Sequence, residues 1–431
     1  MSLFACSSVA HAEAVWPSWR GPMGTGSGLG NPPVTWSESE NVKWKARLSG
    51  SGQSTPVVWG DRIFFLAVAS TDEGAYATGR PDATEQPRGI DPPPRALPEV
   101  ALDFQVVCLD RATGGVVWIR TAASAIPHAL HHPAGSYAPH SAVTDGEYVW
   151  AGIGSRGLYC IDVEGNPQWG QPLDPMRVKF DFGEGSSPVL AGPVVAVVQD
   201  HEGPSRIHAF DKDTGEVRWR RERDEGSSWS TPVAVEVGGR WQVVTAATNR
   251  IRSYDAVTGE IVWETDGLTN NTIPSPVPGD GVVYCSSNFK QFSMKAIALG
   301  HAGLLDGPPG VLWTLEEATS YIATPVLADD RLYFVEDIKP LLSCADARTG
   351  ALLYTRQRLR GLRQIFASPV AAGGRIYIVD RGGATAVVAQ ADHFEILAVN
   401  RLDDGFDASP VVAGDSLLLK GHNYLYCIAS E

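Results

Sequence analysis

Short apolar runs rich in Val, Ile, Leu and aromatic residues, each closed by Gly, Asp or Asn, follow one another along nearly the whole chain from Asn41 onward. Between residues 231 and 264 the pattern resolves into 231–237, a Gly238-Gly239 turn, then 241–246, 251–254 and 260–264. Runs punctuated in this way predict β-strands joined by tight turns. No segment sustains a 3.6-residue apolar period, so little helix is expected.

This four-run unit repeats. Ser or Thr followed by Pro and Val, or a near copy, opens it at Thr55-Pro56-Val57, Ser141-Ala142-Val143, Ser187-Pro188-Val189 and Thr231-Pro232-Val233, and again at Ser275-Pro276-Val277, Thr324-Pro325-Val326, Ser368-Pro369-Val370 and Ser409-Pro410-Val411. From Pro188 onward the prolines are spaced by 44, 44, 49, 44 and 41 residues. A period of that size in strand-like sequence predicts a β-propeller of four-stranded antiparallel blades.

A second motif, Asp-x-x-Thr-Gly-x-x-x-Trp, runs in phase with the first. It reads DRATGGVVW at 110–118, DKDTGEVRW at 211–219 and DAVTGEIVW at 255–263, and ends in Tyr354 at 346–354. Gly and Asp suit the tight turn between the third and fourth strands. The recurring Trp is expected to wedge between neighbouring blades, burying roughly 150–250 Å² for on the order of 4 to 6 kcal/mol at most. The last unit stops in its third strand at Tyr426-Cys427-Ile428, while residues 41–45 carry a fourth-strand pattern with Trp44 in the wedge position. An eight-bladed all-β propeller whose N-terminal strand closes the last blade follows, with residues 41–431 forming it, 15–40 an extended N-terminal wrap against the rim, and 1–14 a segment like the end of a secretory signal.

Strand polarity divides the surface. Turns between first and second and between third and fourth strands are short and repetitive and share one face. The other face carries both long insertions, the Pro-rich 70–103 and the His-rich 121–140. Loops on a rigid scaffold are where binding residues concentrate. The two positions before each opening motif converge on the axis of that face, and their large or polar members are Gln53, His140, Trp229, Phe366 and Asp407. This mixture of apolar wall and few polar groups suits a ligand funnel. Around it Arg156, Arg250, Lys290 and Arg381 are expected at loop tips, as are Asp200 and Asp380. His128, His131 and His132 are weak metal candidates, since imidazole is a common ligand but nothing in an irregular loop fixes their geometry.

Charge and cysteines narrow the picture. With 35 Lys plus Arg against 49 Asp plus Glu the chain stands at −14, which opposes a phosphate-backbone partner and excludes nucleic acid as the expected ligand. Cys108, Cys160, Cys344 and Cys427 occupy the same third-strand slot of four different blades and read as small packed residues rather than disulfide partners. The start MSLFACSSVAHAEA suggests export, with Ala10-His11-Ala12 as a cleavage pattern and Cys6 as a possible lipoprotein acylation site. No run is long and apolar enough to span a bilayer as a helix. No Gly-x-Ser-x-Gly elbow or phosphate-binding loop is present.

The units CLDRATGGVVW and SYDAVTGEIVW, with WPSWRGPMGTG at 16–26, resemble the pyrroloquinoline-quinone-like (PQQ-like) β-propeller repeat family, in particular exported bacterial members similar to the outer-membrane assembly propeller BamB. The resemblance implies the quinoprotein alcohol dehydrogenase-like fold and a periplasmic or cell-envelope location. Family dehydrogenases carry adjacent cysteines beside the quinone and hold calcium through Glu, Asn and Asp. Here no two cysteines are adjacent, and no calcium set can be matched. The expected function is a non-catalytic, monomeric scaffold without a cofactor, binding a protein or envelope component through the insertion-bearing face. The alternative is a quinone- or metal-dependent oxidoreductase with PQQ and calcium in the axial funnel.

Overall fold

A computed structural model describes residues 15–70 and 96–430. Among these, eight separate sheets surround a common axis, and the only helical pieces are two three-residue 3₁₀ turns, Gly154–Arg156 and Lys179–Asp181. Each sheet is built on a four-stranded antiparallel meander, as in blade 3, where Val189–Ala191, Val194–Gln199, Arg206–Asp211 and Val217–Glu222 pair in order; in blade 4, Gly303–Leu304 adds a parallel strand beside Ile261–Asp266. Closure follows the expected route. Val42–Arg47 pairs with Tyr424–Ile428 and places Trp44 opposite Cys427, which gives the last blade its fourth strand. The secretory-like residues 1–14 and most of the Pro-rich insertion lie outside the described residues.

Trp and Gly of the second motif act across blade boundaries. The Trp118 indole donates to Val163 O of the next blade at 3.0 Å, Trp219 to Ala256 O at 2.8 Å and Trp44 to Arg111 O at 3.0 Å. Each ring lies over the turn glycine of that next blade. A Cβ on Gly165, Gly259 or Gly114 would come within 2.9, 2.4 or 2.6 Å of the indole, and all three have positive φ. Glycine is therefore required twice at these positions, by backbone conformation and by the Trp above it. Within a blade the Trp faces the small third-strand residue, Cys108 opposite Trp118 and Ala209 opposite Trp219, which accounts for the cysteine slot.

Residues 15–30 depart from a rim wrap and enter the axis. Val15–Trp16 pairs with the innermost strand Val57–Trp59, Thr144 N–H donates to Pro17 O, and Leu327 N–H donates to Thr25 O. Gly26 O and Gly28 N–H bracket Ala371, and Gly24 packs on Val233 and Pro278. The segment thus touches innermost strands on opposite sides of the ring and fills the channel under the repetitive-turn face. Glycines make this possible, because a wider backbone would not pass between converging strands. Residues 31–40 do wrap outward, with Pro32 O held by Arg375 and Tyr377 and Val34 O by Asn400.

Candidate functional site in the axial cavity

The Ser or Thr that opens each unit forms a closed ring. Thr55 N–H donates to the Ser141 hydroxyl, Ser141 to Ser187, Ser187 to Thr231 and Thr231 to Ser275. Ser275 then donates to Thr324, Thr324 to Ser368, Ser368 to Ser409, and Ser409 back to Thr55. All eight distances lie between 2.9 and 3.0 Å. Innermost strands converge too tightly for water to reach these buried N–H groups, so a side-chain acceptor at each is needed to satisfy them. The following Pro lacks an N–H and fixes the extended entry into the strand.

Above this ring, on the insertion-bearing face, lies a cavity of about 310 Å³. Of the expected funnel residues, Gln53, Trp229, Phe366 and Asp407 line it. His140 does not. It is buried and turned into a neighbouring cavity of about 50 Å³ beside His128, Arg156 and Glu184, with both ring nitrogens unpartnered, and burial lowers its pKa to about 4. The reason is the alternation of side chains along extended backbone: Gln53, Pro139, Trp229, Phe366 and Asp407 stand two positions before an opening Ser or Thr and face the axis, whereas His140, like Ser54 and Ala367, stands one position before it and faces away. The 121–140 insertion folds over the funnel edge, where its Ala134 carbonyl accepts bonds from Gln53 Nε2 at 2.6 Å and Arg381 Nη2 at 3.0 Å.

Asp407 is the most connected group of the wall. Arg381 grips it with Nε at 3.0 Å and Nη2 at 2.9 Å, His422 Nε2 lies at 3.0 Å and Gln53 Nε2 at 3.1 Å. Its carboxyl would be pushed up by burial, yet the His422 and Arg381 contacts hold it well below the usual carboxylate range. Arg381 was expected on the rim and lies instead behind the wall, paired with Asp407 and 4.6 Å from the Phe366 centroid. Glu184 shows the opposite shift. Burial raises its carboxyl, against hydrogen bonds from Ser155 N at 2.7 Å and the Ser155 hydroxyl.

The remaining rim candidates scatter. Arg156 donates to Ile126 O at 3.0 Å and sits 3.2 Å from His128 Nδ1, Arg250 pairs with Asp266 at 2.8 Å, and Lys290 lies over Phe289 near blades 4 and 5, away from the cavity. Asp200 and Asp380 are buried rather than solvated. Asp200 takes a two-point ion pair from Arg223 at 2.7 and 2.9 Å, and Asp380 accepts the N–H groups of Arg363, Gly382 and Ala384. In both, a loop without a ladder partner uses a carboxylate to satisfy its backbone or a buried cation. His128, His131 and His132 face separate neighbours: Met176 O, the Tyr137 ring and the Phe182 ring. Among the described residues no group of three His, Cys, Asp or Glu is placed to hold a metal ion.

Sequence reading missed Trp19, which enters from the N-terminal segment as the cavity's floor and donates to the Ser409 hydroxyl at 3.3 Å. It also missed Glu184, Asn271 and Tyr321 on the walls. It missed the hydroxyl ring as well, which the recurrence of Ser or Thr among the repeats could have signalled; nothing local signalled Trp19.

Among the described residues no Lys or Arg lines the cavity, and the wall's Asp407 is committed to Arg381. The described cysteines are free, buried and dispersed among blades.

Comparison with known proteins agrees with the architecture. The profile of the family described as outer membrane protein assembly factor BamB matches residues 102–351 and 203–431. BamB from Moraxella catarrhalis superposes with a TM-score of 0.57 at 14% identity, covering 89% of this chain and 96% of that one. A europium-containing methanol dehydrogenase gives 0.61 at 9% identity, covering 94% and 89%, and the computationally designed Ika8 protein gives 0.56 at 11%, covering 89% and 98%. No curated protein sequence matches significantly. The chain belongs to the PQQ-like, BamB-type β-propeller family.

Proposed function

We propose that this propeller is a non-catalytic binding scaffold of the bacterial cell envelope that engages a protein partner through the insertion-bearing face. One observation carries the reading. The axial cavity is a blind pit whose wall carboxylate is tied to Arg381 and His422, so it offers shape and hydrogen bonds to a guest rather than a group poised for proton or electron transfer. The N-terminal segment fills the other end of the channel. The family's description as an outer membrane assembly factor supports an envelope setting. Among the described residues no helix is long and apolar enough to cross a membrane.

Photo-crosslinking tests this. A reactive side chain replacing Tyr321, at the cavity mouth, is expected to capture a discrete envelope protein, whereas one replacing Gly374, in a turn of the opposite face, is not. Capture from Gly374 alone would overturn the assignment of face. Pyrroloquinoline quinone added with calcium to the purified protein is expected to give neither a stoichiometric chromophore nor dye reduction with alcohols; saturable binding with turnover would replace the scaffold by an oxidoreductase.

A further inference from the structure

The hydroxyl ring is saturated on one side only. Each of the eight oxygens accepts a backbone N–H, yet among the described residues none donates its own hydrogen to an acceptor in the chain. Six of these residues, Thr55, Ser141, Ser187, Thr231, Ser368 and Ser409, line the axial cavity. A hydroxyl that has filled one lone pair still has a hydrogen to give, and in a buried site that hydrogen needs an acceptor.

Beneath them sits Arg20. It is 4% exposed, and its Nη2 donates to the carbonyls of Pro325 and Pro369, the residues that follow two ring members, at 3.2 and 2.8 Å. Its Nε and Nη1 have no partner, and no carboxylate pairs with it among the described residues. Burial lowers its pKa to about 9, which still leaves it charged at neutral pH. The guanidinium carbon is 5.8 Å from the centre of the Trp19 ring that floors the cavity. A buried, uncompensated cation next to a low-dielectric cavity attracts negative charge strongly, because little water screens it. Of the acidic wall groups, Asp407 is neutralised by Arg381 and Glu184 is pushed toward its neutral form. The cavity therefore presents hydroxyl donors at its floor, with one unmatched positive charge buried behind Trp19 and the ring, and aromatic surface from Trp229, Phe366, Phe182 and Tyr321 above.

Building on the binding-scaffold reading, we infer that the axial cavity receives a single carboxylate on the hydroxyl floor above Arg20, carried by an apolar or aromatic body that rests on Trp229 and Phe366. One buried cation matches one negative charge, which distinguishes this guest from a polycarboxylate quinone. A free small acid and the terminal carboxylate of a peptide share the chemistry.

The test titrates the purified full chain with indole-3-acetate, its isosteric amide indole-3-acetamide, the amine tryptamine and methyl glucoside, followed by calorimetry. Indole-3-acetate is expected to bind about tenfold or more tightly than the amide, since bonds to a charged acceptor are the stronger ones. A second arm compares a short peptide ending in Phe with a free carboxylate against its C-terminal amide; a preference in this arm alone identifies a peptide terminus as the source, and one in the first arm alone a small acid. Equal binding of acid and amide, tighter binding of the amine or the glucoside, or no binding of either carboxylate would overturn the inference. Arg20→Met is expected to erase the acid-over-amide preference while retaining amide binding. Because this variant can disturb the plug, the wild-type comparison stands on its own. Crosslinking from the rim can fail while these titrations succeed, so the partner and the ligand are judged separately.

Discussion

Two parts of this molecule meet at the axis and are built on opposite principles. The floor of the cavity repeats: one Ser or Thr from each of eight blades, bonded in a circle at nearly uniform distance. The wall above it does not. Gln53, Trp229, Phe366 and Asp407 come from equivalent positions in their blades and share no chemistry with one another. A repeated residue is repeated because every blade poses the same packing or hydrogen-bond problem. A residue that breaks the repeat is free of that problem and can serve a guest. The floor should accordingly respond to substitution as stability and the wall as specificity, and departures from that division are informative.

The largest effect is expected where the repeat closes on itself. Trp44→Ala should lower unfolding free energy by roughly 3 to 5 kcal/mol, read as a shift in denaturant midpoint, because it opens the seam between the last and first blades. A change near zero would show that the plug at 15–30, not the closing strand, holds the ring together.

Asp407→Asn breaks the wall's ion pair and leaves Arg381, at 11% side-chain exposure, without its counter-charge. A loss of about 3 kcal/mol is expected. In the wild type the Asp407 contribution is fully present above the ordinary carboxylate range and is lost as pH falls below about 4 toward the depressed folded value. Acid titration of stability in the two proteins should converge below that range. If they differ by a constant offset instead, Asp407 acts by shape and not by charge.

His140 gives the next test. Its folded pKa, lowered to about 4, lies below the unfolded value near 6.5, so the unfolded chain takes up the proton first and stability drops as pH falls from about 6.5 to 4. His140→Phe should flatten this part of the profile by about 3 kcal/mol. His208 is shifted the same way and should account for much of the slope that remains.

Smaller effects belong to the repeated contacts. Gly259→Ala, at φ +71° with its Cβ 2.4 Å from the Trp219 ring, should cost about 2 kcal/mol. Thr231→Val removes the acceptor for Ser187 N–H while keeping shape, and should cost about 1 kcal/mol in thermal or chemical unfolding. An outsized loss from Thr231→Val would mean that the ring's bonds are cooperative.

Particular residues show how far reading the chain could go. Blade number, strand order and the Trp44 closure were legible, because each follows from a local pattern copied along the chain. Gln53, Trp229, Phe366 and Asp407 line the axial cavity because a position in the repeat maps to a position on the axis. His140 lies outside that cavity, since side chains alternate along extended backbone and the position next to the opening Ser or Thr faces away from the axis, and the settings of Arg381, Asp200 and Asp380 were not legible, since partner choice rather than position decides whether a loop charge meets water.

The order of residues alone determined the architecture, because an eightfold repeat of strands and wedging indoles admits one closed ring. Tertiary structure alone decided what fills that ring. Trp19 and Arg20 stand 390 and 305 residues from Ser409 and Pro325, which they bond, and only closure of the circle creates the narrow, water-poor axis in which a hydroxyl without an acceptor and a guanidinium without an anion acquire meaning.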